Sequence, residues 1–108
     1  MSSDDIRKHI RFYPEPLEIA LIDTNKVRFA GYNHGDPVMI TDYIALIENE
    51  SQKGATLVFV LKDDDQSFVK EGARWLVKLG KLAPLRAEVK WHRTIDTFIV
   101  KVGILLLD

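Results

Sequence analysis

Two short segments of this 108-residue sequence carry side chains suited to binding a polar or anionic ligand, and the first lies near the N-terminus. It reads Arg7-Lys8-His9-Ile10-Arg11 and holds two arginines with three residues between them. A guanidinium group forks onto phosphate oxygens or onto O6 and N7 of guanine, and its flat face stacks on a base, which lysine does not reproduce. Two arginines on one short arm are therefore suited to closing over a ligand. The alternative is that they are solvated charges on a terminal arm.

The second segment is Asn49-Glu50-Ser51-Gln52-Lys53-Gly54, which follows an apolar run over residues 43–47. Its small polar side chains and backbone amides offer hydrogen bonds, and Gly54 permits the close approach of a ligand or of another part of the chain. The alternative is an ordinary hairpin turn, in which Asn49 and Ser51 satisfy backbone groups and Gly54 supplies a positive φ. Both roles are compatible, because a turn must be shaped before it binds.

The rest of the sequence must position these two segments, and its pattern predicts strands. Short runs rich in β-branched and aromatic residues alternate with Gly, Pro, Asn and Asp about every ten residues, as in all-β sandwiches and barrels. Alternation over residues 86–93 places Ala87, Val89 and Trp91 on one face, toward a core. The predicted strands, joined as antiparallel hairpins, are residues 17–22, 27–32, 38–47, 55–61, 74–79, 85–92 and 97–106.

Aromatic and aliphatic residues of the later strands are predicted to face the core. Trp75 and Trp91 have apolar neighbours in phase, which favours packing in the core or at a barrel mouth over a role as exposed stacking platforms. The last predicted strand has four apolar residues in phase, namely Phe98, Val100, Val102 and Ile104.

The stretch over residues 66–82 is compatible with two structures. Its apolar residues also fit helical spacing, and Ser67 is a possible helix cap. However, Gly72 and Gly80 lie inside or at the end of that helix, where each costs about 1 kcal/mol relative to Ala. We therefore expect a strand rather than a helix.

Composition argues against several classes of function. There are 15 Lys and Arg residues against 16 Asp and Glu. The protein therefore lacks the broad positive field that attracts long nucleic acids and anionic membranes. With no cysteine, neither disulfides nor thiolate sites are possible. The acidic N-terminus precedes no apolar signal region, and no apolar run approaches the ~20 residues of a membrane span. We therefore expect a soluble, cytoplasmic protein.

No group of residues predicts catalysis or metal binding. The three histidines, His9, His34 and His92, have no ligand-like spacing. Asp63-Asp64-Asp65 lacks the alternating oxygens and central glycine of a calcium loop and is interpreted as a solvated turn. Ser51 has no evident histidine to activate it as a nucleophile. We therefore expect a protein that is not an enzyme and has no metal or cofactor.

The Arg-x-x-x-Arg segment and the Asn-x-Ser-x-x-Gly segment, in that order in a chain of this size, resemble the PilZ domain family. Gly72 before a strand, Ala87-Glu88-Val89-Lys90-Trp91, and Val102-Gly103-Ile104 near the end also look like the family. The resemblance extends over residues 7–107. Members of this family are bacterial β-barrel domains that bind the second messenger cyclic di-GMP.

The resemblance implies a receptor whose ligand is cyclic di-GMP. It implies guanine or phosphate contacts for Arg7 and Arg11. In the receptor so implied, the ligand orders the N-terminal arm against the barrel, and an unidentified downstream protein recognises the reshaped surface. Guanine-edge contacts are implied for Asn49, Ser51 and Gly54.

The expected architecture is one all-β domain over residues 1–108, with a flexible arm over 1–12 and a small antiparallel β-barrel of six or seven strands over 13–108. The gap between Arg11 and Asn49 is longer than is usual in the family, which predicts an extra hairpin over residues 27–40. No C-terminal helix is expected after the last strand. An apolar residue, Ile6, precedes the first arginine, which by the resemblance implies one bound ligand rather than a stacked pair.

Two other functions remain open at this point. One is a degenerate PilZ-like module that binds a protein partner and no nucleotide, against which the two arginines argue. The other is a small β-barrel that binds single-stranded nucleic acid through Trp75, Trp91 and nearby lysines, against which the near-neutral charge argues.

Overall fold

The computed structural model describes residues 18–33 and 38–108, and within them the chain forms a closed antiparallel β-barrel. One short helix is present in this part of the chain, and no helix there is long and apolar enough to cross a membrane. The elements are β1 (Ile19–Asp23), α1 (Lys26–Gly31), β2 (Tyr43–Glu50), β3 (Gly54–Val60), β4 (Arg74–Leu79), β5 (Leu85–Asp96) and β6 (Ile99–Leu106). The strands neighbour one another in the order β1-β2-β3-β6-β5-β4. The predicted all-β barrel is confirmed, with six strands in the described residues.

The core fills the barrel with the inward side chains of all six strands. Trp75 is only 2% exposed, so its predicted place in the core is confirmed. Its ring meets the edge of Phe59 at a centroid distance of 5.8 Å, and Phe68 stacks on Tyr43 at 3.8 Å. Tyr43 and Phe68 are partly buried and pack against the core, so these aromatic rings form one cluster with it.

The segment over residues 27–32, predicted as a strand, forms the helix α1 instead. The Asn25 side chain caps this helix, because its Oδ1 accepts hydrogen bonds from the backbone N–H groups of Val27 (2.9 Å) and Arg28 (3.1 Å). Capping and the short-range ion pair of Arg28 with Asp23 thus override the β propensity of Val27 and its neighbours. The predicted extra hairpin over residues 27–40 is therefore wrong, and the strand predicted from residue 38 begins only at Tyr43.

The ion pair that holds α1 joins Asp23, at the end of β1, to Arg28. The Asp23 carboxylate is fully buried and accepts hydrogen bonds from Arg28 Nε (2.5 Å) and from the backbone N–H groups of Asn25 (3.0 Å) and Ile40 (2.9 Å). Burial raises the pKa of this carboxyl, but the Arg28 contact and the two backbone donors outweigh it, so the pKa lies below its ordinary value of 3.8. Asp23 therefore fixes the start of α1 and the chain near Ile40 against the barrel.

Within the ambiguous stretch over residues 66–82, residues 74–79 form the strand β4 and the remainder is turn or irregular structure, so the helical alternative is wrong. Gly72 (φ +86°) and Gly80 (φ +56°) flank β4 in the left-handed region, which glycine adopts without strain. In the last strand, Val100, Val102 and Ile104 are buried as predicted. Phe98 is 45% exposed instead, because it lies in the turn between β5 and β6, where strand alternation no longer applies.

Candidate ligand-binding surface

The Asn-x-Ser-x-x-Gly segment forms the hairpin between β2 and β3, as the sequence predicts. The Ser51 N–H donates to the carbonyl oxygen of Gly54 (2.8 Å), and the Lys53 N–H donates to Ser51 Oγ (3.3 Å). The carbonyl oxygen of Lys53 accepts from the Leu106 N–H (2.7 Å), which ties the hairpin to the end of β6. A hydroxyl has one donor and two acceptor sites, so Ser51 shapes the turn and keeps capacity for a ligand.

Gly54 is required by the close approach of β6. A Cβ built on Gly54 would overlap the carbonyl oxygen of Ile104 and would stand 3.6 Å from the Cα of Leu105. Its φ is not among the positive values, which belong to Gly72 and Gly80 in the described residues. The sequence-based alternative of a positive φ at Gly54 is therefore wrong, and the close approach predicted there is that of the chain itself.

A β-bulge sets the direction of Asn49. Ile47 pairs with Leu57, whereas Asn49 pairs with Thr56, so Glu48 is an extra residue in β2. Thr56 lies between the buried residues Ala55 and Leu57, so it faces outward, and its cross-strand partner Asn49 lies on the same outer face.

A second bulge turns Trp91 out of the core. Val89 pairs with Ile104 and Trp91 pairs with Gly103, so Lys90 is the extra residue in β5. The predicted inward position of Trp91 is therefore wrong: the residue is 44% exposed, because one inserted residue reverses the alternation. A glycine within a strand pattern often marks a bulge or a close approach, so Gly103 was the sequence feature that pointed to this arrangement.

The two bulges align four residues in one row across the outside of the barrel. Asn49 of β2 pairs with Thr56 of β3, Thr56 pairs with Gly103 of β6, and Gly103 pairs with Trp91 of β5. Neighbouring strands lie about 4.8 Å apart, so the backbones at the two ends of the row are roughly 14 Å apart. An open depression of about 320 Å³ covers this row, and its lining includes Ser51, Lys53, Gly54 and Lys90. We call it the row depression.

Charges around the row depression are mixed. Glu48 forms an ion pair with Lys101 (2.9 Å), and Lys90 contacts Glu88 (3.2 Å). The Lys90 contact lowers the pKa of Glu88 below its ordinary value; burial acts in the opposite direction, but the charges of Lys90 and Arg74 reinforce the lowering. Lys53 forms no ion pair with any residue that the structure describes. The depression thus offers one cation without a counter-charge, which alone is too little to hold a doubly charged anion.

Arg7 and Arg11 lie outside the described residues, but the start of the described chain shows where their segment joins the barrel. The carbonyl oxygen of Glu18 accepts a hydrogen bond from the Ile47 N–H (3.0 Å). Ile47 is separated from Asn49 only by the bulge residue. Because an extended chain spans at most about 3.6 Å per residue, the seven residues from Arg11 to Glu18 reach as far as ~25 Å. That length is ample to return to the hairpin.

The carboxylates and histidines of the described residues form no metal site. Over residues 18–33 and 38–108, no three His, Asp or Glu side chains are placed to hold a metal ion. Asp63 and Asp65 accept from the backbone N–H groups of Asp65 (3.0 Å) and Ser67 (2.9 Å), as in the solvated turn that was predicted. His92 is exposed on β5, and His9 and His34 lie outside the described residues.

Comparisons with known proteins add no family to this description. No protein-family model, no curated protein and no solved structure matches the chain. Fold and surface together define a closed antiparallel six-stranded barrel with a polar hairpin and an exposed indole on one side of its outer wall.

Proposed function

We propose that this chain is a non-enzymatic receptor for cyclic di-GMP, of the PilZ type. The observation that carries the proposal is the row from Asn49 to Trp91, since it has donors and acceptors for a guanine edge at one end and a stacking surface at the other. An amide and a hydroxyl, from Asn49 and Ser51, satisfy the polar edge of a base. The half-exposed indole of Trp91 provides an aromatic face, and stacking on such a face contributes about 1–3 kcal/mol per base.

The row depression is open to solvent on one side, so a bound ligand needs a further protein segment to cover it. Its volume of about 320 Å³ is that of a small ligand site, and it is open to solvent. Sites for drug-sized ligands bury about 70–90% of the ligand surface, which an open depression on a barrel wall does not achieve. The N-terminal segment joins the barrel beside Ile47, and its arginines, Arg7 and Arg11, are the residues proposed to cover the ligand from the other side.

The same residues supply the missing positive charge. Cyclic di-GMP carries two phosphates, and Lys53 is the one cation among the residues lining the row depression that forms no ion pair with a described residue. Two guanidinium groups from the arm balance the ligand charge and fork onto phosphate oxygens or a guanine edge. Ordering the arm costs conformational entropy, so we expect an affinity near micromolar, about −8 kcal/mol.

In this proposal the output is a change of surface. The arm closes over the ligand, and an unidentified downstream protein in the bacterial cytoplasm recognises the rearranged arm and barrel wall. Neither a cofactor nor a covalent step is involved. Ile6, the apolar residue before Arg7, implies by the family resemblance that one ligand binds per chain.

Calorimetric titration of the full chain with cyclic di-GMP tests the proposal, with GTP as the control nucleotide. We expect saturable heat with one ligand per chain, together with a change in Trp91 fluorescence, and neither effect with GTP. Absence of heat and of a fluorescence change at ligand concentrations well above micromolar would sink it, and would favour the alternative of a module that binds only a protein partner.

A specific observation keeps the single-stranded nucleic acid alternative open. Trp91 is exposed, and Arg93 and Lys101 pair directly across the outer face next to it. Trp75, by contrast, is buried and has no part in such a site. An unstructured oligonucleotide that binds in low salt, loses affinity steeply as salt rises and quenches Trp91 would favour this reading over the cyclic dinucleotide.

A further inference from the structure

Away from the row depression, the outside of β1, β2 and β3 is apolar. Ile19 of β1 pairs with Leu46 of β2, which pairs with Val58 of β3, and Leu21 pairs with Ile44. The side chains that alternate with them, such as Ala20, Ala45 and Phe59, fill the core. Exposure is highest at Val60 (64%) and Ile44 (58%). We call this face the apolar wall and define it by Ile19, Leu21, Ile44, Leu46, Val58 and Val60.

The end of the apolar wall at Ile44 and Val60 has an excess of negative charge. Ile44 and Val60 line a depression of about 410 Å³, and its charged lining residues are three carboxylates and one cation, Lys62, so the negative charges are in excess. The carboxylates are Asp42, Asp63 and Asp65. Burial, and then the charges of these three carboxylates, raise the pKa of Tyr43, which lines the same depression. A partner for this face therefore needs both apolar and basic side chains.

The size of the wall favours a short segment over a second copy of the chain. Six aliphatic side chains, three of them 45% or more exposed, present on the order of a few hundred Å². A stable protein–protein interface needs about 800 Å² from each partner. The barrel is closed, so no free strand edge adds backbone pairing to the contact.

One segment of this chain has the required composition, and the described chain begins beside the wall. Glu18, its first residue, adjoins Ile19 at one edge of the wall. Its sequence Ile6-Arg7-Lys8-His9-Ile10-Arg11 interleaves two isoleucines with three basic residues. Ile10 is eight residues before Glu18, a span of up to about 29 Å, whereas the wall extends roughly 7 Å along the strands. Pro14 and Pro16 lie between them and favour a reversal of the chain over a strand.

We propose that residues 6–11 of the ligand-free chain dock on the apolar wall, with Ile6 and Ile10 on Ile44 and Val60 and the basic side chains toward the carboxylates of Asp42, Asp63 and Asp65. The docking stands without any nucleotide. One consequence rests on the proposed function: Arg7 and Arg11 either dock on the apolar wall or bind the ligand, and the two positions exclude each other. Ligand binding then uncovers the wall, and an apolar surface becomes available to a partner.

Paramagnetic relaxation in the ligand-free, full-length protein tests the docking. Because the chain has no cysteine, Ser3→Cys gives a single attachment point for a nitroxide label just before the segment. We expect the amide signals of Ile44, Val60 and Asp63 to broaden, with those of Glu88 and Arg74 unaffected. Equal broadening of all amides, or broadening confined to Asn49 and Trp91, would overturn the proposal.

A mixed sample separates docking within one chain from association between chains. Labelled protein without ¹⁵N is mixed with unlabelled ¹⁵N protein at equal concentration. We expect no broadening in this mixture. Broadening of Ile44 and Val60 there would mean that a second copy covers the wall, which contradicts the proposal.

A pair of charge variants tests the basic contacts. Asp63→Asn combined with Asp65→Asn keeps the acceptor oxygens that shape the turn but removes two charges from the depression. Asp64→Asn removes a charge from the same turn at an exposed residue that does not line the depression. We expect the first change to reduce the broadening of Val60 at least twofold and the control to leave it unchanged. Equal effects of both, or none from either, would remove the carboxylates from the contact. Failure of the nucleotide titration leaves these results untouched, because no ligand is present.

Discussion

Trp91 lies across the face of Gly103 on the outside of the barrel. A Cβ at residue 103 would overlap Nε1 and Cε2 of the indole. The bulge at Lys90 brings the two residues into register, and the absence of a side chain at residue 103 leaves room for the five-membered ring of the indole. The orientation of the only tryptophan with substantial exposure in the described residues thus depends on one glycine on a neighbouring strand.

Gly103→Ala is therefore expected to displace the indole while the fold persists. The ring is half-exposed and has room to swing outward, so the stability cost is about 1 kcal/mol, at the low end for overpacking. Trp91 fluorescence should shift toward that of a solvated indole, while the buried Trp75 keeps its emission. If stacking is lost, cyclic di-GMP affinity falls on the order of 10-fold or more, as for Trp91→Ala. Wild-type affinity in Gly103→Ala combined with a shifted emission would exclude Trp91 from ligand contact.

Gly54→Ala is expected to destabilise the barrel itself. The added methyl group meets the backbone carbonyl of Ile104, which cannot rotate away as a side chain would, so we expect a loss of about 2–3 kcal/mol in the free energy of unfolding. Gly31→Ala is the matched control, because a Cβ there meets nothing within 4 Å and the residue is in α1. We expect that variant to be neutral or stabilising by up to about 1 kcal/mol. Urea denaturation of both variants measures the difference; equal effects would contradict the close approach of β6.

Asp23→Asn is expected to lower stability at neutral pH by about 2–3 kcal/mol, because Arg28 loses a charged acceptor in a largely dehydrated setting. The folded-state pKa of Asp23 lies below 3.8, so its contribution is fully present above that pH and is lost as the pH falls through the folded-state pKa. The difference in unfolding free energy between wild type and Asp23→Asn should therefore shrink in acid below about pH 4.

Denaturant titrations of the wild type and of Asp23→Asn at a series of pH values measure this difference. Asp64→Asn serves as the control because residue 64 is exposed, and its effect should stay near zero throughout. A difference that grows in acid would show that the sign of the Asp23 contribution is wrong.

The sequence predicts the barrel well where strand patterns are local. β4 has the bounds predicted for it, because two glycines mark its ends and β-branched and aromatic residues fill its interior. The helix α1 escaped prediction because its formation depends on the Asn25 cap and on the Asp23–Arg28 contact, which overrule the propensities of Val27 and Phe29. Intrinsic β propensity and short-range polar contacts conflict in this segment, and the contacts prevail.

The sequence also predicts half of the residues of the candidate site. Asn49, Ser51 and Gly54 are contiguous in the chain, so one turn motif brings them together. Thr56, Gly103 and Trp91 meet the hairpin only through cross-strand pairing and two bulges. A bulge adds one residue and reverses the phase without changing the composition of the strand, so simple alternation places Trp91 on the wrong face.

The N-terminal segment allows the contributions of arginine and lysine to cyclic di-GMP affinity to be compared within five residues. Arg7→Ala and Arg11→Ala each remove a planar donor from the proposed ligand contacts, and a charge-assisted contact contributes about 1.5–3 kcal/mol, so each should weaken cyclic di-GMP binding on the order of 10- to 100-fold. Lys8→Ala removes the same charge from the same segment, but lysine cannot fork onto a guanine edge or stack on a base. A diffuse, screened charge contributes under about 1 kcal/mol, so Lys8→Ala should change the affinity by less than about fivefold. Calorimetry of the three variants at one salt concentration measures the contrast. If all three lose affinity equally, the arm acts through net charge and the two arginines do not make specific contacts; if none does, the arm has no part in binding.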